Sequence, residues 1–253
     1  LHGRLGLRDD VYCVDINQGC AGFIYALLQA CVLVESTSVQ RALICVGDTL
    51  SHRTSTRDRN SYPLVGDAGA VALLERSPAA SPIHLAICNR GSAFDTLMIP
   101  AGGARRPSTA ATREEREDEF GNFRSEEQLT MKGGDVFNFT QTVVPEFIEA
   151  LLADARLTKE QAAWFFLHQA NTFIVKKLAE RLGVPFEKAP SDIVSKYGNS
   201  SSATIPLAMA EHFPAGVGPL PVCLCGFGVG LSWGGAVLEL GPLAASTVIE
   251  YTG

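Results

Sequence analysis

No stretch of this sequence approaches the run of about 20 apolar residues that spans a bilayer, so no membrane-crossing helix is expected. A charged-then-apolar leader is also missing, but the sequence opens on Leu1 and not on methionine, so that absence excludes nothing. An excess of basic residues is lacking. The formal net charge of -6 argues against a general binder of nucleic acid and favours solubility. Cysteine is neither dense nor even in number. Seven cysteines lie scattered through apolar segments, unlike the disulfide frameworks of small secreted proteins. Cys223 and Cys225 lie two apart in a strand-like run without the second pair that a zinc site needs. Most of the seven read as reduced core residues of a cytosolic protein. Short-period repeats are absent as well.

What is present is material for a large core. Hydrophobic residues make up 46% and charged residues 19%, a globular balance, and 253 residues suffice for one large domain or two intimately packed halves. The front alternates strand and helix: residues 11–16, 41–47 and 68–75 read as strands, and 22–35 as a buried helix. Short apolar runs separated by helices point to buried sheet in an α/β protein. A turn-rich joint at 78–82 parts residues 1–80 from 81–253, and 83–88 resumes as a strand. From 91 to about 130 the composition is that of a loop, with a charge run from Arg113 to Glu119 that reads as a solvated face. Loops of this length tend to border binding sites.

The back is regular again. Residues 135–155 read as an amphipathic helix interrupted at Pro145, and 164–167 as a strand ending at His168. Residues 172–182 form a helix closed by Gly183 and Pro185. Residues 202–212 form another, with Pro206 near its first turn, and 222–227 and 231–240 flank a glycine-rich turn as hairpin strands do.

Four segments carry candidate chemistry. Cys20, in Gly19-Cys20-Ala21-Gly22-Phe23, opens the first helix. A free thiol has a pKa of about 8.5, and a helix N-terminus favours its anion through unpaired N–H groups. The same N–H groups can hold the oxygen of a thioester under attack. By itself a free cysteine more often just packs. His168, in Leu167-His168-Gln169-Ala170-Asn171, is one of five histidines, and a strand-end histidine is usually structural. In Tyr197-Gly198-Asn199-Ser200-Ser201-Ser202, Asn199 or a serine suffices as a helix cap. The segment 226–234 suits a hairpin with a glycine bulge; lacking a Gly-Lys-Ser/Thr continuation, it is no phosphate loop.

Taken in order, Cys20, His168 in His-Gln-Ala-Asn, Asn199 in Gly-Asn-Ser and 226–234 resemble the ketoacyl-ACP synthase III branch of the thiolase superfamily. Gly66-Asp67-Ala68-Gly69-Ala70 matches that family's Gly-Asp segment, and the resemblance runs from about residue 5 to 240. Asp135-Val136-Phe137-Asn138-Phe139-Thr140 and Val229 look closer to synthase-III-like proteins of polysaccharide and secondary-metabolite pathways. The resemblance implies an α/β, five-layered αβαβα fold of two similar halves. Residues 1–80 would be the remainder of the first half with the nucleophile, and 81–253 the second half with His168 and Asn199. Family members begin well before their cysteine strand, so an opening segment is expected to be missing here.

The implied activity is decarboxylative Claisen condensation. Cys20 takes an acyl group from a thioester, usually acyl-CoA, and malonyl-acyl carrier protein then loses carbon dioxide. His168 Nε2 and Asn199 NH₂ are suitable neutral donors to the enolate, where an aspartate would add unwanted negative charge. The amides of Cys20 and Val229 would form a second oxyanion hole. No metal or organic cofactor is implied. The implied partners are acyl-CoA, malonyl-acyl carrier protein and a second copy of the chain, with neither nucleic acid nor membrane, in the cytoplasm. Thr172-Phe173 replaces the stretch in which fatty-acid enzymes often carry a carrier-docking arginine. Lys176, Lys177 and Arg181 could serve an acidic carrier instead, or form a plain exposed face. Two other readings use the same residues: acyl transfer to an alcohol or amine, and a non-catalytic partner subunit.

Overall fold

The computed structural model describes residues 1–79 and 81–251; Ala80, inside the expected joint at 78–82, lies outside them. The chain opens its regular structure with α1 (Gly22–Ser36), β1 (Arg41–Thr49) and β2 (Asp67–Glu75). The middle carries β3 (His84–Asn89), β4 (Leu97–Met98), α2 (Ala110–Arg113), β5 (Arg116–Glu117), β6 (Phe123–Arg124) and β7 (Thr130–Met131). The back carries α3 (Gly133–Asp154), β8 (Trp164–Leu167), α4 (Thr172–Leu182), α5 (Ile193–Tyr197), α6 (Thr204–His212), β9 (Leu220–Gly228) and β10 (Ser232–Leu240).

Two sheets organise these elements. β1 and β2 pair antiparallel, Arg41 opposite Glu75 and Thr49 opposite Asp67. The second sheet has the order β3-β10-β9-β8, with β8 parallel to β9 and the other pairs antiparallel. Side chains alternate across it, as the pleat requires. Phe165, Cys223, Cys225 and Phe227 face α3 and α4 through Phe139, Ile148, Leu151, Val175 and Leu178. Phe166, Val222, Leu224 and Ala236 face α1 and α6 through Phe23, Ile24, Leu27, Ile205 and Ala208. The far side of α1 meets Ile44 of β1, with Ala42, Val46, Ala72 and Leu74 packed against the same cluster. The layers therefore run β1–β2, α1 with α6, the second sheet, and α3 with α4.

Of the five expected layers, four are found among the described residues. Burial alternates along β1 and β2, so the buried first sheet that the apolar runs suggested is open on one face, where Leu43, Val71 and Leu73 are exposed. The expected strand at 11–16 is likewise absent. Val11, Tyr12, Val14 and Ile16 are exposed, and no strand among the described residues runs beside them, so their β-like pattern has nothing to pair with. Pro145 does not interrupt α3. It is buried within the helix, and Val144, Ile148, Leu151 and Leu152 beside it supply packing that outweighs the local cost of about 3 kcal/mol. Of the seven cysteines, Cys223 and Cys225 are buried, whereas Cys13 and Cys45 are exposed; all are free.

The charge run of the long loop is only partly a solvated face. Arg124 bridges Asp58 at 2.8 Å and Asp118 at 2.5 Å, pinning the β5–β6 turn to the segment between the first two strands. Burial alone would raise the Asp58 pKa, but the Asn60 amide, the Ser61 hydroxyl and Arg124 together hold it below its ordinary value.

Close packing makes β10 intolerant of bulk. A Cβ at Gly235 would lie 2.8 Å from Leu151 Cδ2 and 2.9 Å from the Leu224 carbonyl oxygen, whereas one at Gly103 meets nothing within 4 Å. Gly235→Val is expected to lower stability by about 1–3 kcal/mol in urea unfolding, and Gly103→Ala to change it by less than about 0.5 kcal/mol.

Candidate active site

Cys20 lies one residue before Ala21, the N-cap of α1. The β9–β10 turn closes over it. A Cβ at Gly228 would lie 2.6 Å from Cys20 Sγ, and one at Gly226 would lie 2.8 Å from Ala21 Cα. Glycine at these two positions is what lets the end of β9 reach the thiol. The turn is also tied to the loop before the helix. Gln18 Nε2 donates to Ser232 Oγ, and Ser232 Oγ donates to the Val229 carbonyl at 2.6 Å.

The electrostatics at the sulfur differ from the expectation of a helix-stabilised thiolate. Burial raises the Cys20 pKa, and hydrogen bonds from the Val229 amide, the Ser201 hydroxyl and the Cys20 amide only partly offset it. Asp48 adds to the rise. The resting sulfur is a thiol, and the two amides proposed for an oxyanion hole, those of Cys20 and Val229, both act to lower its pKa. Ser201 Oγ lies 4.0 Å from Sγ.

His168 follows the last residue of β8, and its amide donates to the Cys225 carbonyl at 2.8 Å. Only 1% of the residue is exposed. Nδ1 lies 2.7 Å from Thr204 Oγ1, and the ring meets Phe227 edge-on at a centroid distance of 5.4 Å. Burial pushes its pKa down to about 4, with the Ser201 carbonyl acting weakly the other way. The ring is therefore neutral at pH 7.

Asn199 is held by its backbone. Its amide donates to the Leu64 carbonyl at 2.7 Å, and its carbonyl accepts from the Gly66 amide at 3.0 Å. A Cβ on Gly66 would collide with the Tyr197 carbonyl, and Gly198 adopts a φ of 73°, so this junction needs both glycines. The Asn199 side chain accepts from the Ser201 amide at 2.9 Å and donates to the Ala170 carbonyl at 3.3 Å. The matched Gly-Asp segment thus acts structurally: Gly66 admits the Asn199 turn, and Asp67 accepts from the Ser51 amide and hydroxyl at 2.9 and 2.5 Å.

Ser201 joins the three candidates. Its hydroxyl faces Cys20, its amide orients Asn199, and its carbonyl accepts from Thr204 and influences His168. It holds a φ of 55°, a left-handed conformation that a non-glycine residue rarely adopts. Neither Ser201 nor Thr204 was singled out by sequence reasoning, because a run of serines before a helix reads as capping. The basic candidates lie together on α4. Lys176 and Arg181 are exposed, while Lys177 is half-buried and paired with Glu180 at 2.7 Å.

Comparisons with known proteins find relatives along most of the chain. The family model for 3-oxoacyl-[acyl-carrier-protein] synthase III matches residues 14–91, and the model for that enzyme's C-terminal part matches 152–240. Beta-ketoacyl-[acyl-carrier-protein] synthase III from Fusobacterium nucleatum is 33% identical over 242 residues, covering 94% of this chain and 70% of that protein. The same-named protein from Synechocystis sp. is 34% identical over the same shares. Among solved structures, 3-oxoacyl-(acyl-carrier protein) synthase from Burkholderia xenovorans superposes with a TM-score of 0.90 at 36% identity, covering 99% of this chain and 70% of that one. The priming β-ketosynthase of the R1128 polyketide pathway gives 0.74 at 28% identity, covering 95% and 69%. Fold and relatives define an acyltransferase of the thiolase fold. Within that class, the chain belongs to the 3-oxoacyl-[acyl-carrier-protein] synthase III family.

Two outcomes follow for this site. Gly228→Ala is expected to abolish iodoacetamide labelling of Cys20, read by peptide mass, while far-UV circular dichroism stays unchanged. His168 also makes stability depend on pH. Unfolded, it takes a proton near the ordinary value of 6.5; folded, only near about 4. Its contribution is full above pH 6.5 and is lost as pH falls toward 4, a decline of about 3 kcal/mol. Urea midpoints across that window should fall less steeply in His168→Asn.

Proposed function

We propose that this chain catalyses decarboxylative condensation of an acyl thioester with malonyl-acyl carrier protein through an acyl group on Cys20. The observation that carries this reading is the convergence of Cys20, His168 and Asn199 on Ser201, with the Cys20 and Val229 amides acting on the sulfur. Those amides would hold the oxygen of the acyl group as Cys20 Sγ attacks it. The second N–H of Asn199 Nδ2 and Nε2 of His168, both without a hydrogen-bond partner among the described residues, would hold the enolate oxygen formed as carbon dioxide leaves. N–H donors suit a site where negative charge develops.

The donor proposed is acyl-CoA, the class the resemblance implies. Carrier docking would fall to Lys176 and Arg181, exposed on the helix that follows the His168 loop, more than to the paired Lys177. The thioester itself activates the reacting carbon, so the scheme calls for no metal or organic cofactor. Homodimerisation and a cytoplasmic setting are carried into this proposal from the resemblance. No described helix is long and apolar enough to cross a membrane.

Incubation with acetyl-CoA is expected to add one acetyl group by intact mass, and Cys20→Ala to abolish it. With malonyl-acyl carrier protein supplied, Asn199→Ala should slow product formation by about 10²-fold or more while leaving acetylation intact. Acetylation of Cys20→Ala at the wild-type level would rule out the nucleophile.

A further inference from the structure

The polar atoms around Thr204 determine which nitrogen of His168 carries the hydrogen. Thr204 is fully buried, and its Oγ1 has three polar neighbours. The Ser201 carbonyl, 2.9 Å away, can only accept; the Gln169 amide, 3.3 Å away, can only donate. The third neighbour, His168 Nδ1 at 2.7 Å, can do either. A hydroxyl has one hydrogen and two lone pairs. With its hydrogen on the Ser201 carbonyl and one lone pair taken by Gln169, the other lone pair faces Nδ1, which then must bear a hydrogen. Turning the hydroxyl toward Nδ1 would set the Thr204 and Ser201 oxygens lone pair to lone pair at that same 2.9 Å. The site is too buried for solvent to relieve this, so the first arrangement is favoured.

We propose that Thr204 is a positioning residue that fixes the hydrogen of resting His168 on Nδ1, so that the Nε2 hydrogen needed for condensation comes from the Cys20 thiol. This rests on the condensing reading and deepens it. The proton account closes. As Cys20 Sγ bonds the acyl carbon, its S–H proton passes to Nε2, the bond from that carbon to the CoA sulfur breaks, and the CoA thiolate takes a proton from solvent. The Nε2–H then donates to the enolate oxygen as the malonyl carboxylate leaves as carbon dioxide. The carbanion attacks the acyl carbon, the bond from that carbon to Sγ breaks, and the Cys20 thiolate recovers the proton from Nε2. Burial opposes a charged ring, so its proton is balanced by the CoA thiolate until that group leaves and by the negative malonyl group that takes its place, and it is given back when that charge is consumed.

The test combines nitrogen-15 NMR of histidine-labelled full chain with rapid-quench acetylation by acetyl-CoA. The His168 signals are assigned by their loss in His168→Asn. The wild-type ring is expected to carry its hydrogen on Nδ1, and Thr204→Ser to keep both this signature and the wild-type acetylation rate. Thr204→Val should populate the Nε2–H form and slow acetylation by about tenfold or more, with the half-saturating acetyl-CoA concentration unchanged. A wild-type ring protonated on Nε2 would overturn the proposal, and this readout needs no variant to fold. An unchanged spectrum and rate in Thr204→Val would overturn it equally. A ring protonated on Nδ1 in a chain that takes no acetyl group would instead sink the condensing reading and leave Thr204's hold on the ring standing.

Discussion

The site depends on one backbone junction, where the Gly66 and Gly198 segments pass too closely for any side chain. There the approach to β2 clamps the amide and carbonyl of Asn199, joining the first sheet to the turn that precedes α6. The candidate residues are all referred to this contact. It fixes Asn199, which fixes Ser201, and Ser201 in its left-handed conformation reaches both the Cys20 thiol and the surroundings of His168. The end of β9, stripped of side chains at Gly226 and Gly228, completes the enclosure from the other side.

Burial gives this enclosure its chemical character. It raises the thiol's pKa and lowers the imidazole's, so the resting groups are a neutral thiol and a neutral ring. A charged cysteine–histidine pair would make a stronger nucleophile at rest, but beside a ring as buried as His168 its cost is high. A neutral site with aimed N–H groups suits reactions in which negative charge appears on oxygen and then disappears. Hydrogen-bond order decides reactivity here more than formal charge does, which is why a buried hydroxyl such as Thr204 matters.

Much of this was legible in the sequence where chemistry and pattern coincide. The helix after Cys20, the strand ending at His168, α4 with its Gly183 stop, and the glycine hairpin all stand within a few residues of expectation. Legibility failed where a segment's state depends on neighbours far along the chain. The apolar pattern at 11–16 is that of a strand, yet a strand exists only by pairing. Pro145 reads as a break, but tertiary packing holds α3 together around it. A local argument placed Cys20 in the field of a helix terminus, whereas desolvation by segments far along the chain acts most strongly on its pKa. Ser201 and Thr204 were invisible for the same reason, since a left-handed φ and a shared hydroxyl leave no mark in residue type.

The central claim is that Cys20 carries an acyl group whose oxygen lies between two backbone amides. A crystal structure of the protein after reaction with acetyl-CoA tests it most directly. The account predicts continuous density from Cys20 Sγ into an acetyl group, with its oxygen within hydrogen-bond reach of both the Cys20 and Val229 amides. An acetyl group on any other residue, or one on Cys20 with its oxygen turned away from those amides, would contradict it.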